Sequence, residues 1–184
     1  MRPNPGDAHL DTRTKILSLA DDLVRKKGFN AFSYKDISDS LAIKPAAIHY
    51  YFPTKEDLGV AILRQEIERF ERNGERWQHE SPVTQLQNLI GLFRVYWDRG
   101  QICLMGSLCP DKNTLPEKMQ VQLEKLCGLI LDWVADILEQ GTFKQGKEFA
   151  PVIMATLMSS VILARVQGAG VFNTIIAQLQ KDLI

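Results

Sequence analysis

At 184 residues the chain is long enough to bury a substantial core, either as one large domain or as two small ones. Its 45% hydrophobic and 24% charged content is ordinary for a globular protein, and a net charge of zero excludes a general affinity for polyanions. The first 64 residues carry a balance of +2 and the remainder −2, so any case for a nucleic-acid partner has to rest on a local motif.

Every periodic segment has the helical period, which predicts an all-α chain of about nine helices. Residues 1–11 are polar and contain prolines, and read as a loose arm. A first helix is expected from Thr12 to Lys27, with Ile16, Leu19, Ala20, Leu23 and Val24 on one face. Arg25, Lys26 and Lys27 fill its last turn, where the dipole favours cations, and Gly28 suits its stop. Ser33 and Asp36 have the spacing of a capping box, opening a short second helix that ends near Ser40. Pro45 fits the first turn of a third helix, which Pro53 closes near Phe52. Thr54 caps a long fourth helix reaching towards His79. Ser81-Pro82 opens a fifth, to about Arg99. Residues 100–113 look irregular, with one helical turn around Leu104–Leu108. A helix opened by the start signal Thr114-Leu115-Pro116-Glu117 and reaching about Gln140, then two last helices, about 148–167 and 172–182, complete the chain.

Several classes are disfavoured by what the pattern lacks. No apolar leader is read near Met1, and the run from Pro151 to Ala164 falls short of the ~20 residues a membrane span needs. A cytoplasmic protein with no membrane partner is expected. Cys103, Cys109 and Cys127 are an odd, sparse set, unlike a disulfide framework. The three histidines lack ligand spacing, and there is no Gly-rich phosphate loop or nucleophile motif. No metal, no cofactor and no enzymatic activity are expected.

The functional signal lies in residues 12–52, which supply three short helices with a tight junction between the second and third. This is the order a helix-turn-helix needs to project its third helix into the DNA major groove. Ile48, Tyr51 and Phe52 fall on the side that packs against Ile37 and Leu41. Lys44, Ala46, Ala47, His49 and Tyr50 are left facing out, and small residues followed by a His-Tyr pair suit close approach to DNA.

The run Ser33-Tyr34-Lys35-Asp36-Ile37, followed by Leu41 to Leu58 with His49-Tyr50-Tyr51-Phe52-Pro53-Thr54-Lys55-Glu56-Asp57-Leu58 at its centre, resembles the N-terminal domain of TetR regulators. The resemblance covers residues 12 to about 63. It implies a helix-turn-helix domain over residues 1–53 and a helical domain for signal sensing and dimerisation over 54–184. By the same resemblance Lys55 would bind a phosphate of double-stranded operator DNA. His49 and Tyr51 would contact backbone, and Ser33 and Tyr34 would touch flanking phosphates. Lys44, Pro45, Ala46, Ala47 and Tyr50 would face bases or the groove wall, Tyr50 being equally placed to read a base or touch a phosphate. Two departures stand out: Ala42 replaces a usual turn glycine, and His49 a frequent tyrosine.

The resemblance further implies a homodimer built on the last two long helices, with Val152, Ala155, Thr156, Ser159, Ile162, Ala164 and Val166 giving a largely apolar surface. An unidentified small-molecule inducer would sit between helices five to eight, with Phe93, Trp97, Met105, Leu129 and Trp133 as candidate lining. The segment from Gln101 to Pro110 is similar to a Cys-Leu-x-Gly-x-Leu stretch in one branch of the family, which makes Cys103 and Cys109 candidate thiol sensors. Cys103 and Cys109 could equally be small buried hydrophobes, and Cys127 reads as structural. Two other classes stay open on the residues alone: a thiol oxidoreductase using Cys103 and Cys109, and a helix-turn-helix protein that binds another protein.

Overall fold

The computed structural model describes residues 5–183, and among them it contains nine α-helices and no strand. In order these are α1 (Pro5–Lys27), α2 (Tyr34–Leu41), α3 (Pro45–Tyr51), α4 (Lys55–Trp77), α5 (Pro82–Asp98), α6 (Leu104–Leu108), α7 (Glu117–Gln140), α8 (Ala150–Gln167) and α9 (Ala169–Leu183). Single 3-10 turns occupy Phe29–Ala31, Cys109–Thr114 and Lys147–Phe149.

The first helix begins at Pro5, not at Thr12. A proline is tolerated in a first helical turn, where its missing N–H has no partner to lose, so the polar, Pro-containing stretch was compatible with helix after all. Residues 1–4 of the expected arm lie outside the described residues. The segment expected to be irregular beyond Gly100 also holds more order, with α6 running directly into the 3-10 turn.

Packing follows the apolar stripes. Ile16, Ala20 and Val24 of α1 are buried against Ile37 of α2, Ile48 and Phe52 near α3, and Leu58 and Ile62 of α4. The same continuous core runs on through Phe93, Leu126, Leu157 and Phe172. Gly59 lets α4 approach α7 closely: a Cβ there would lie 2.3 Å from Met119 Sδ, and Met119 is itself in the core.

Helix α8 has two faces. Ile153, Leu157, Val161 and Ala164 are fully buried, so Ala164 belongs to the internal core and not to the outer surface expected of it. Val152, Ala155, Ser159, Ile162 and Val166, spaced alternately three and four residues apart, are exposed. With its preceding turn the segment Lys147–Gln167 is 21 residues long with mean hydropathy 1.8, enough by length and composition to cross a membrane. The shorter apolar run read from the sequence missed the residues that the flanking turns add.

The tight link between α2 and α3 turns on Ala42, which caps α2 in the left-handed region at φ 52, ψ 41. Its N–H lies 3.4 Å from the Asp39 carbonyl, and the next N–H, of Ile43, is 3.1 Å from that of Ser38. An L-residue with a Cβ is strained there, whereas glycine is not. Ala42→Gly is therefore expected to stabilise the fold by about 1 kcal/mol, raising the melting temperature by ~2–4 °C. Calorimetry showing no rise, or a fall, would contradict a strained cap.

Candidate functional site

The outer face of α3 is laid out by its anchor. Ile48 is fully buried, and from it Lys44, Pro45, Ala46, His49 and Tyr50 project as exposed residues, with Ala47 and Tyr51 half-buried at the edges. Tyr50 is 73% exposed and packs edge-on against Tyr51, ring centroids 5.0 Å apart. His49 places Nδ1 3.2 Å from the Pro53 carbonyl, which holds the ring and leaves Nε2 as its outward group. Lys44, at the N-cap position of α3, is exposed beside this row.

Three residues expected on phosphates are used by the fold itself. The Tyr34 hydroxyl lies 2.8 Å from the Phe52 carbonyl and 2.5 Å from that of Thr54. Its one proton is directed at these carbonyls, so in this structure Tyr34 braces α2 against the α3–α4 junction. Burial, with the Asp57 charge, pushes this hydroxyl up to about 12. Lys55 is turned inward: its ammonium donates to the Phe32 carbonyl and sits 4.7 and 4.5 Å from the Phe29 and Phe32 ring centroids. Such cation–π seating suits a partly desolvated ammonium, and burial lowers its pKa. The α4 N-terminus beside it is already capped by Asp57, whose carboxylate accepts from both the Thr54 N–H and hydroxyl. Ser33 is exposed, with its N–H and hydroxyl both 2.7 Å from the Asp36 carboxylate.

Behind this head lies a buried polar cluster. Arg25, in the last turn of α1, is only 1% exposed. Its Nε is 2.9 Å from both Asp21 carboxylate oxygens, and Nη2 is 2.8 Å from Glu66 Oε2 on α4. The guanidinium lies over the Tyr96 ring of α5, 5.2 Å from its centroid. Burial alone would lower its pKa, but Glu66 and Asp21 outweigh that and raise it. Glu66 also pairs with Arg69. From α8, Arg165 Nη2 reaches the carbonyls of Arg25 at 3.1 Å and Gly100 at 2.9 Å. One side chain thus joins α1, α4 and α5, and its carbonyl is tied to α8.

Glu66 and Tyr96 also face a cavity of about 30 Å³ enclosed by α4, α5, α6, α7 and α8. Of the candidate lining residues Phe93 and Met105 face it, together with Cys103, Phe70 and Arg69. Trp97, Leu129 and Trp133 do not. Trp97 stacks on Phe172 of α9, centroids 5.9 Å apart, and Trp133 packs between Phe70 and Trp77 at 5.5 and 5.8 Å. Leu129 is a half-buried part of the general core. Helical periodicity marks these residues as apolar-facing, but which wall they face depends on how helices cross.

Residues 16–62 match the family model described as bacterial regulatory proteins, tetR family. Over 167 residues, 85% of this chain and 84% of the relative, the chain is 28% identical to an HTH-type transcriptional regulator in the lacX 3′ region of Lactococcus lactis subsp. lactis. It is 41% identical to the HTH-type transcriptional regulator UidR of Escherichia coli K12, over 58 residues that make up 32% of this chain and 30% of UidR. The fold superposes on the crystal structure of a TetR transcriptional regulator from Legionella pneumophila with a TM-score of 0.85 at 29% identity, covering 92% of this chain and 96% of that one. Residues 16–62 are a TetR-family helix-turn-helix domain, and the chain has the fold of a solved TetR regulator. It is a DNA-binding transcriptional regulator of the helix-turn-helix type.

The two candidate sensor thiols, Cys103 and Cys109, lie in different surroundings. Cys103 is buried at the N-cap of α6, its Sγ 3.3 Å from the Gly106 N–H. Burial pushes it up to about 12, where it is a poor nucleophile. The thiols in contact are Cys109 and Cys127, Sγ to Sγ 3.9 Å. Among the described residues no cluster of three or more His, Cys, Asp or Glu is placed to hold a metal.

Sequence reasoning missed Arg25, which it treated as a dipole-stabilising surface cation. Its signal was available only as a charge on a face otherwise turned to the core. Arg25→Ala is expected to destabilise the protein by about 3–5 kcal/mol by leaving Glu66 and Asp21 buried without it. Arg69→Ala, removing a 41%-exposed side chain, is expected to cost under ~1 kcal/mol. Equal urea midpoints for the two variants would refute the asymmetry.

Proposed function

We propose that this TetR-family regulator is a repressor that binds a palindromic operator as a homodimer and leaves it when its C-terminal helices take up a small-molecule inducer or a thiol-reactive signal. The observation that carries the reading is the exposed row Lys44, Pro45, Ala46, His49, Tyr50, standing on a buried Ile48. Small side chains let the helix approach the groove floor, and the flanking cation and rings supply phosphate and base-edge contacts. Residues 1–53 form the reading head on this view and residues 54–184 the sensing and dimerising body, acting in the cytoplasm where operator DNA is found.

Dimerisation is supported by α8. Its exposed row Val152, Ala155, Ser159, Ile162, Val166 has the alternating three-and-four spacing of a coiled-coil seam, with small residues allowing close approach to a second copy. A twofold pair would present two reading helices about 34 Å apart, or a multiple of it, matching half-sites on one DNA face. Release is supported by the Arg25–Glu66 pair, because the carboxylate that holds α1 is also part of the cavity wall. The cavity of about 30 Å³ is roughly tenfold below the ~300 Å³ of ordinary ligand pockets. A ligand therefore has to part the surrounding helices, and in doing so it moves Glu66. A coupling of ~1–3 kcal/mol changes DNA affinity 5- to 150-fold.

Purified protein is expected to retrieve discrete genomic fragments with inverted repeats. On such a fragment Lys44→Ala should weaken binding uniformly and reduce the salt slope by about one unit, while Tyr50→Ala should alter base preference. Lys55→Ala should lower thermal stability together with affinity, because the ammonium braces Phe29 and Phe32. Random fragments in the pull-down, or wild-type affinity for a Lys44→Ala, Tyr50→Ala double variant, would remove the repressor reading.

A further inference from the structure

Cys109 opens the 3-10 turn that follows α6, and Cys127 faces it from the middle of α7. Their sulfurs are 3.9 Å apart and each residue is half-buried, so a small oxidant can reach them. A disulfide needs the sulfurs to close to about 2.05 Å, a movement of roughly two ångströms that side-chain rotation and a slight shift of the short turn can supply. The surroundings differ from those of Cys103. The Cys127 S–H directed at Cys109 lowers the Cys109 thiol, and the Lys112 ammonium adds to this against partial burial, while Cys127 is raised. Lys112 is itself held in place by Glu124 of α7, 2.7 Å away. One thiol is thus prepared as the attacking group and its neighbour as the resolving one.

The turn that carries Cys109 also touches the reading head. Asn30, in the 3-10 turn between α1 and α2, donates from Nδ2 to Thr114 Oγ1 at 3.1 Å and lies 3.5 Å from Asp111 Oδ2. Both acceptors belong to the Cys109–Thr114 turn. Drawing this turn towards α7 pulls on those contacts.

We infer that Cys109 and Cys127 are a reversible disulfide site for hydroperoxides, and that closing it weakens DNA binding by displacing the turn that holds Asn30. The Cys109 thiolate attacks one peroxide oxygen, the O–O bond breaks, and the departing alkoxide or hydroxide takes up a proton, leaving a sulfenic acid on Cys109. The Cys127 sulfur then attacks that sulfur: the S–S bond forms, the S–O bond breaks, and the hydroxyl leaves with the Cys127 proton as water. Two thiols and one peroxide become a disulfide, an alcohol (or water) and water, with two electrons passing from sulfur to peroxide. Cys103, buried and raised, stays reduced. The chemical half stands without any DNA, whereas the regulatory half rests on the repressor reading above.

The test uses the full chain with hydrogen peroxide. Titratable thiols should fall from three to one, and a thiol reductant should restore all three. In a Cys103→Ser variant, tryptic mapping should link the peptide ending at Lys112 to the one following Lys125. Cys127→Ser should abolish the link and leave a trappable sulfenic acid on Cys109. Fragments recovered by the reduced protein should bind at least about fivefold more weakly to the oxidised protein, with Cys127→Ser losing that response. Failure of the reduced protein to retrieve fragments sinks the repressor reading alone. Absence of the 109–127 link after peroxide sinks the disulfide site, and a link that leaves affinity unchanged sinks its regulatory role.

Discussion

A buried guanidinium holds the architecture together. Arg25 sits where α1 ends, and its partners come from α1 itself, from α4 and, through the Tyr96 ring, from α5. Removing such a charge from water costs several kcal/mol unless it is paired; although the buried Nη1 finds no hydrogen-bond partner, Nε and Nη2 constrain the helices that supply their partners to one arrangement. Because α1 belongs to the proposed reading head and α4 and α5 to the proposed body, this arrangement would also be the mechanical relation between the two. Arg165 strengthens it by donating to the Arg25 carbonyl at the end of α1, which also accepts from the Ile102 N–H.

The reading head depends on internal braces as much as on its exposed row. Tyr34 closes on the carbonyls at the end of α3, Lys55 closes on the turn before α2, and Ala42 accepts a left-handed conformation so that α3 leaves α2 at the required angle. Each is polar or strained, and each acts by fixing where α3 stands. The exposed row that they position is short, and Ala46 at its centre is small.

The body divides its labour by helix face. The inner side of α8 is core, packed against α5, α7 and α9, while its outer side exposes a narrow apolar row. Its high hydropathy thus has two parts, an interior face that fills the core and an exposed apolar row, which on the proposal above meets a second copy. Helices α4 and α7 approach closely at Gly59 and Met119. Glu66 also lines an open polar groove with Arg69 and Gln101, so its carboxylate stands between that groove and the cavity.

Local chemistry alone determined the helices, their order and the face that α3 presents, because caps, prolines and helical periodicity act over a few residues. Ser33 with Asp36, Thr54 with Asp57, Pro45 and Gly28 are legible in this way, and so is the strained Ala42. Tertiary structure decided what no window of sequence contains: that Tyr34 and Lys55 point inward, that Trp97 and Trp133 fill other parts of the core while Tyr96 and Glu66 wall the cavity, and that Cys109 meets Cys127 instead of Cys103. It also turned Arg25 from an apparent surface cation into a buried one. The physical reason is common to all of these. A side chain's periodicity states which way it faces along its own helix, whereas its partner is set by the crossing of two helices far apart in the chain.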